Sequence, residues 1–195
     1  MNRTLKNHSF QAGFSMIEVM VSLMILLLSL LGLVGLIVVS QRAETESYQR
    51  SQALLLLQDM VGRINANRRV AACYAITTDM VNGAPYMGVG STVTPSCGFG
   101  TTQANTLATG DLTAWNGLLI GTAETMGGSN LGAMVGARGC VSFDIPRGVY
   151  LVSVAWQGIA TTAVPGISFT CGKGLYGDEA LRRVVSMNVQ IANLN

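Results

Sequence analysis

The chain of 195 residues is unusually apolar and carries few charges. Its mean hydropathy is +0.42 and 11% of its residues are charged, against about a quarter in soluble domains. Of its 12 Lys and Arg residues, Arg3 and Lys6 precede Gly13, which leaves as many bases as acids beyond that point. Because no stripe of Lys and Arg remains, the charge pattern argues against nucleic-acid binding.

The N-terminus combines a basic leader with a long apolar run. Residues 1–13, MNRTLKNHSFQAG, are polar and positively charged, so they are expected to stay in the cytoplasm while the rest is exported. No charged residue occurs from Val19 to Gln41, and about 20 apolar residues suffice to span a bilayer. No AxA-like site of a secretory signal peptide closes the run. The sequence therefore predicts a retained membrane helix over residues 14–41.

A single carboxylate, that of Glu18, stands at the start of this apolar run. An acid at the centre of a membrane helix costs about 2.5–3.5 kcal/mol, and such residues usually have a partner. One interpretation is an interfacial acid hydrated among lipid headgroups. The other requires a new positive charge, which cleavage after Gly13 would create at the α-amine of Phe14. In a staggered array of helices, the amine of one chain could neutralise the carboxylate of the next.

The stretch Gly13-Phe14-Ser15-Met16-Ile17-Glu18-Val19, after a basic leader and before the apolar run, resembles the class III signal of type IV prepilins. The resemblance implies that a membrane aspartyl peptidase cuts after Gly13 and methylates the new N-terminus at Phe14. It also implies that Glu18 is the acid recruited during assembly.

The helix is expected to continue over residues 42–72, outside the cytoplasm. Arg42, Glu46 and Arg50 follow one another at i,i+4 spacing, which supports a helix modestly. Further on, apolar residues recur at helical spacing and predict one buried face. They are Leu54, Leu57, Val61 and Ile64.

The head is predicted to comprise residues 73–195. Residues 78–139 are rich in Gly, Thr, Asn and Ser and are interpreted as a long irregular region, with at most short pieces such as Leu112 to Ile120. Residues 140–195 are predicted to form an antiparallel sheet, with strands at Cys140–Ile145, Val149–Gln157 and Arg183–Ile191. The expected fold class is α+β, a long N-terminal helix packed on a small antiparallel sheet.

All four cysteines lie beyond the apolar run, which predicts two disulfides in an oxidising compartment. Three pairings can be drawn, of which the sequential one, Cys73 with Cys97 and Cys140 with Cys171, is preferred. Four reduced thiols remain an alternative. No metal site and no cofactor is expected, because CxxC spacing is absent and the only histidine, His8, lies in the leader.

Two further patches resemble the PilV family of minor pilins, the type IV pilus modification proteins. They are the segment Leu57–Arg68 and the strand that ends in Ala155-Trp156-Gln157-Gly158, before a cysteine and a terminal strand. The resemblance implies a protein without catalysis that primes pilus assembly and sits at the fibre tip. A minor pseudopilin of a type II secretion system has the same signal and is the alternative.

The partners implied are other minor and major pilins, the prepilin peptidase, a tip adhesin and, before assembly, the inner membrane. The head is accordingly expected in the periplasm and later at the cell surface. An enzyme is not expected, since a chain cut after Gly13 has no histidine and the acids Asp144, Asp178 and Glu179 lie in no distinguishing context.

Overall fold

The structure is a computed structural model that describes residues 13–122, 125–126, 129–130 and 134–191. Most of the predicted leader, residues 1–12, lies outside the described residues. The chain divides into two units, Met1–Glu44 and Thr45–Asn195. Each unit is described by itself below.

In the first unit, helix α1 begins at Met16 and continues without interruption to Ala66, inside the second unit. Every residue from 13 to 45 is exposed. The absence of proline before Pro85 explains why nothing breaks the helix. Its end differs from the predicted boundary at residue 72, because the last turns form a separate 3₁₀ helix, Arg68–Tyr74.

In the second unit, α1 buries a face of five residues, which are Gln49, Ala53, Leu57, Met60 and Ile64. The predicted face was therefore partly wrong. Leu54 is 39% exposed and Val61 only partly buried. Ala53 and Met60 are buried in place of Leu54 and Val61, so these two positions of the buried face lie one residue earlier than predicted.

Four antiparallel strands form the sheet in the order β1-β4-β5-β6. They are β1 (Met87–Gly88), β4 (Arg138–Asp144), β5 (Val149–Gln157) and β6 (Arg182–Gln190). A separate hairpin joins β2 (Thr125–Met126) and β3 (Ser129–Asn130). The α+β class is confirmed, and the three predicted strands lie within two residues of their expected bounds.

The two faces of the sheet are covered differently. Val152, Val154 and Trp156 of β5 belong to the main core, together with the buried face of α1. On the opposite face, Ala155 packs with Cys140, Cys171 and Tyr176. The segment between β5 and β6 therefore covers part of the outer face.

The prediction that residues 78–139 are irregular was wrong over helix α2, Thr102–Ile120. Thr101 caps its N-terminus and Gly121, with φ of 70°, ends it in the left-handed conformation. Its buried residues are Ala108, Leu112, Trp115 and Leu119, one face at helical spacing. The indole N–H of Trp115 donates to the carbonyl of Leu56 at 2.9 Å, which fastens α2 to α1.

Two disulfides join Cys73 to Cys97 and Cys140 to Cys171. This is the sequential pairing among the three that the sequence allows. The first bridge holds the segment before α2 against the end of the 3₁₀ helix. The second fastens the segment between β5 and β6 to strand β4.

Candidate functional site

At the junction between leader and helix, the described residues are exposed. Gly13 and Phe14 precede α1, and Phe14 is 85% exposed. A Cβ added at Gly13 would meet no atom within 4 Å. Among the described residues, therefore, nothing in the chain itself requires glycine at this position. A requirement for glycine would have to come from a protein that binds the junction.

Glu18 lies in the first turn of α1. The carbonyl of Ser15 accepts hydrogen bonds from the N–H groups of Glu18, at 3.0 Å, and of Val19, at 3.3 Å. An acid in the first turn interacts favourably with the helix dipole. No described residue forms an ion pair with Glu18. Its carboxylate is thus held at an exposed helix start and is available to a charge from another chain.

The apolar part of α1 has the properties of a membrane helix. It is the one helix in the described ranges that is long and apolar enough to cross a membrane, and none of its most apolar stretch is buried in the protein. The hydroxyls of Ser22 and Ser29 donate to the carbonyls of Val19 and Ile25 at 2.9 and 2.8 Å. Polar groups bonded in this way can lie in lipid. The exposed surface and the internal bonding fit membrane anchoring.

In the second unit, Glu46 links α1 to strand β6 and not to its helical neighbours. Its carboxylate accepts from two nitrogens of Arg183, at 3.2 and 3.3 Å, and from the N–H of Ile159 at 2.8 Å. Arg183 also donates to the carbonyl of Ala160 at 2.6 Å. The i,i+4 pair between Glu46 and Arg50 was predicted to support the helix. The Glu46 carboxylate binds Arg183 instead.

A second polar cluster holds α2 on α1. Asp111 of α2 accepts from Arg63 Nη1 at 2.8 Å and from the hydroxyl of Tyr74 at 2.5 Å. Arg63 also pairs with Asp59 at 2.7 Å, and Asn67 Nδ2 donates to the carbonyl of Ala104 at 2.9 Å. Burial, together with the hydrogen bond to the Asp111 carboxylate, raises the pKa of Tyr74. The cluster fixes α2 over the end of α1.

A third cluster anchors the segment between β5 and β6. Arg182 is 3% exposed, pairs with Glu179 at 2.7 Å and donates to the carbonyls of Phe169 and Cys171 at 2.5 and 3.2 Å. Burial raises the pKa of Glu179, but the Gly174 N–H and Arg182 outweigh it, and the pKa is lowered overall. With the Cys140–Cys171 bridge, this cluster orders the outer face.

The pairs Asp59–Arg63 and Glu179–Arg182 have local i,i+4 and i,i+3 spacing. Sequence reasoning missed the contacts that join distant positions. Glu46 and Arg183 are 137 residues apart, and Arg63 and Asp111 are 48 apart. No local spacing signals such pairs. The predicted processing and assembly residues lie close together at the start of α1 and far along the chain from the disulfides.

In the comparison with known protein families, one part of the chain finds a match. Residues 8–34 match the family model of the prokaryotic N-terminal methylation motif. This range contains Gly13, Phe14, Glu18 and residues 19–34 of the apolar run. No curated protein and no solved structure matches the chain.

Proposed function

Because the N-terminal methylation motif supports a type IV pilin-like protein, of a pilus or of a pseudopilus, we propose that this chain is a minor pilin. In this role it helps to prime pilus assembly and sits in the complex at the fibre tip. The observation that carries the proposal is the motif on an open junction, directly before an unburied apolar helix. The resemblance of the tail to the PilV family favours the pilus.

The proposed processing step is a cut between Gly13 and Phe14 by the prepilin peptidase, followed by methylation of the new amine. The exposed junction gives a protease access to the backbone. After the cut, the amine of one chain neutralises Glu18 of a neighbouring chain. Pairing makes a carboxylate tolerable in an apolar environment, whereas an unpaired one is costly. The charge pair therefore sets the register of one helix against the next.

Before assembly, the helix over residues 14–41 anchors the chain in the inner membrane, with the head, residues 73–195, in the periplasm. The two disulfides support an oxidising compartment for the head. The helix and the head contact other minor and major pilins, and the head offers a surface for a tip adhesin. No catalysis, cofactor, metal or nucleic acid enters this role. A Cβ at Gly32 or Gly35 would meet nothing within 4 Å, so packing in the chain does not require glycine there, and glycine adds local freedom to the helix because it lacks a Cβ.

The experiment replaces Glu18 by Leu in the full-length chain in its host and measures how much of the chain is incorporated into purified pili. Glu44→Gln, at an exposed acid outside the apolar run, is the matched control. We expect the Glu18→Leu chain to be cut at Phe14 and retained in the membrane but absent from pili, because its helix lacks the carboxylate for docking. Normal incorporation of Glu18→Leu would contradict the assembly role.

The alternative, a minor pseudopilin of a type II secretion system, has the same N-terminal requirements. Deleting the chain separates the two functions. Loss of surface pili with normal export of secreted enzymes supports the minor pilin. Normal pili with accumulation of secreted enzymes in the periplasm would assign the chain to the secretion system instead.

A further inference from the structure

Strand β6 forms an open edge of the sheet. It pairs with β5 over nine consecutive residues without a bulge, and none of the described strands lies on its other side. Within the described ranges, residues 184–190 make no hydrogen bond except those to β5. An open strand edge presents a row of free N–H and C=O groups that can pair with another chain.

The opposite edge of the sheet is protected. Strand β1 covers the start of β4, and Thr77 then bonds the backbone of Val141 through its own N–H, at 2.8 Å, and through its hydroxyl, at 3.2 Å. On β6, by contrast, residues 184–190 contain no charge, proline or glycine. Arg182 and Arg183 at the start of β6 are both engaged with carboxylates of their own chain. Residues 184–190 therefore lack the charges, the proline and the bulge that often block an edge.

A groove of ≈ 390 Å³ runs beside this edge. It is lined by Glu46, Ser47, Arg50, Trp156, Arg183, Val184 and Val185. Val184 and Val185 are neighbours whose side chains point to opposite faces of the strand, so the groove reaches the free edge. Trp156 is 3% exposed, and its indole N–H has no hydrogen-bond partner among the described residues.

The charges of the groove define what fits it. Glu46 and Arg183 neutralise each other. Arg50 is exposed and has no carboxylate within ion-pair distance in the described part of the chain. A second copy of β6 would not supply one, because residues 182–190 contain no acid. The occupant that complements the groove is an extended segment of a different chain that carries a carboxylate.

We propose that the free edge of β6 and this groove form a strand-addition site for an extended, acid-bearing segment of a partner chain. The partner's backbone pairs with residues 184–190, and its carboxylate side chain pairs with Arg50. Main-chain hydrogen bonds supply affinity in this mode, and the side-chain contact supplies specificity. The inference rests on the proposed function, since the partner is expected among the pilin-like or adhesin chains of the assembly.

The experiment uses the full-length chain in its host, with a photo-crosslinking benzoylphenylalanine in place of Asn188, which is exposed on β6. The same replacement at Thr113, exposed on α2, is the matched control. We expect an adduct at position 188 only, and the crosslinked peptide should be an Asp- or Glu-containing segment of another pilin-like or adhesin chain.

Charge reversal then tests the contact with Arg50. Arg50→Glu should lower the adduct yield about ten-fold, whereas Arg69→Glu, at an exposed arginine of the 3₁₀ helix, should leave it unchanged. When this chain carries Arg50→Glu, replacing the acid of the partner's crosslinked segment by Arg should restore the adduct yield.

Three results would overturn the proposal: no adduct at position 188, an adduct with a second copy of this chain, or a yield that does not respond to Arg50→Glu. The N-terminus is sequenced in the same samples. A chain that does not begin at Phe14 contradicts the proposed function. A chain that begins at Phe14 but gives no adduct contradicts only the strand-addition site.

Discussion

Replacing Asp111 by Ala should loosen α2 from α1 and destabilise the head. The Asp111 carboxylate is 12% exposed and accepts from Arg63 at 2.8 Å and from Tyr74 at 2.5 Å. Without it, Arg63 still has Asp59 at 2.7 Å. The hydroxyl of Tyr74, a fully buried residue, loses its acceptor and retains only Asn67, a donor at 3.3 Å.

The size of the effect follows from these contacts. A hydrogen bond to a charged group contributes about 1.5–3 kcal/mol, and an unsatisfied buried donor costs about 1–3 kcal/mol. The bond from Arg63 counts for less, since Asp59 partly replaces Asp111. We therefore expect Asp111→Ala to lower the free energy of unfolding by about 2–3 kcal/mol. For a chain of this size, that lowers Tm by about 4–12 °C.

Both tryptophans of the chain, Trp115 and Trp156, are buried in the head, so their fluorescence reports its unfolding in the full-length protein in detergent. Asp144→Ala is the matched control. Its ion-pair partner Arg147 is 80% exposed, and such a surface pair contributes about 0–1 kcal/mol. Asp144 also accepts from the backbone N–H of Arg147 at 3.2 Å, so the control removes one turn hydrogen bond as well. A loss for Asp111→Ala no larger than that of the control would refute the assigned role of the cluster.

Three further predictions concern the head. Gly139→Ala should destabilise it by about 1–3 kcal/mol, because the new Cβ would overlap the ring of Trp115. Gly110→Ala should stabilise it by up to about 1 kcal/mol, since a Cβ there meets nothing within 4 Å. Both are measured by chemical denaturation. Above pH 10, stability should fall because tyrosine ionises in the unfolded chain while burial raises the pKa of Tyr74 in the folded one. Tyr74→Phe should flatten that fall in thermal melts between pH 9 and about 11.5. Replacing Cys140 and Cys171 by Ser, with a separation of 31 residues, should cost about 3–4 kcal/mol.

Each of these predictions has a contradicting outcome. Equal changes in stability for Gly139→Ala and Gly110→Ala would show that the packing around Gly139 does not exclude a side chain. An unchanged pH profile in Tyr74→Phe would assign the alkaline loss to other groups. A cost below about 1 kcal/mol for the cysteine pair would mean that the bridge does not constrain the unfolded chain as the loop-closure argument requires.

The elements predicted well are those whose residues carry a strong local pattern. Strand β5, Val149–Gln157, has the predicted bounds because β-branched and aromatic residues run through it and Gly148, with φ of 64°, makes the turn before it. The long helix is continuous because its apolar half contains no residue that breaks it. At the start of α1, the motif itself identifies Gly13, Phe14 and Glu18, and their roles remain predictions.

Helix α2 was missed because its exposed face is rich in Thr, Asn and Gly, which have low helix propensity. Its signal was present in the spacing from Ala108 to Leu119 and in the caps at Thr101 and Gly121. The long-range contacts of the polar clusters and the open edge of β6 had no local signal. They depend on which strands and helices become neighbours, and only the folded chain determines that.

The most direct test of the account is the N-terminus and mass of the protein recovered from membranes, with and without the prepilin peptidase, and with thiol labelling. The account predicts a chain that begins at methylated Phe14 only when the peptidase is present, and that has no free thiol. A chain that keeps Met1 in the presence of the peptidase, or one that is cut near Ser40, would contradict it.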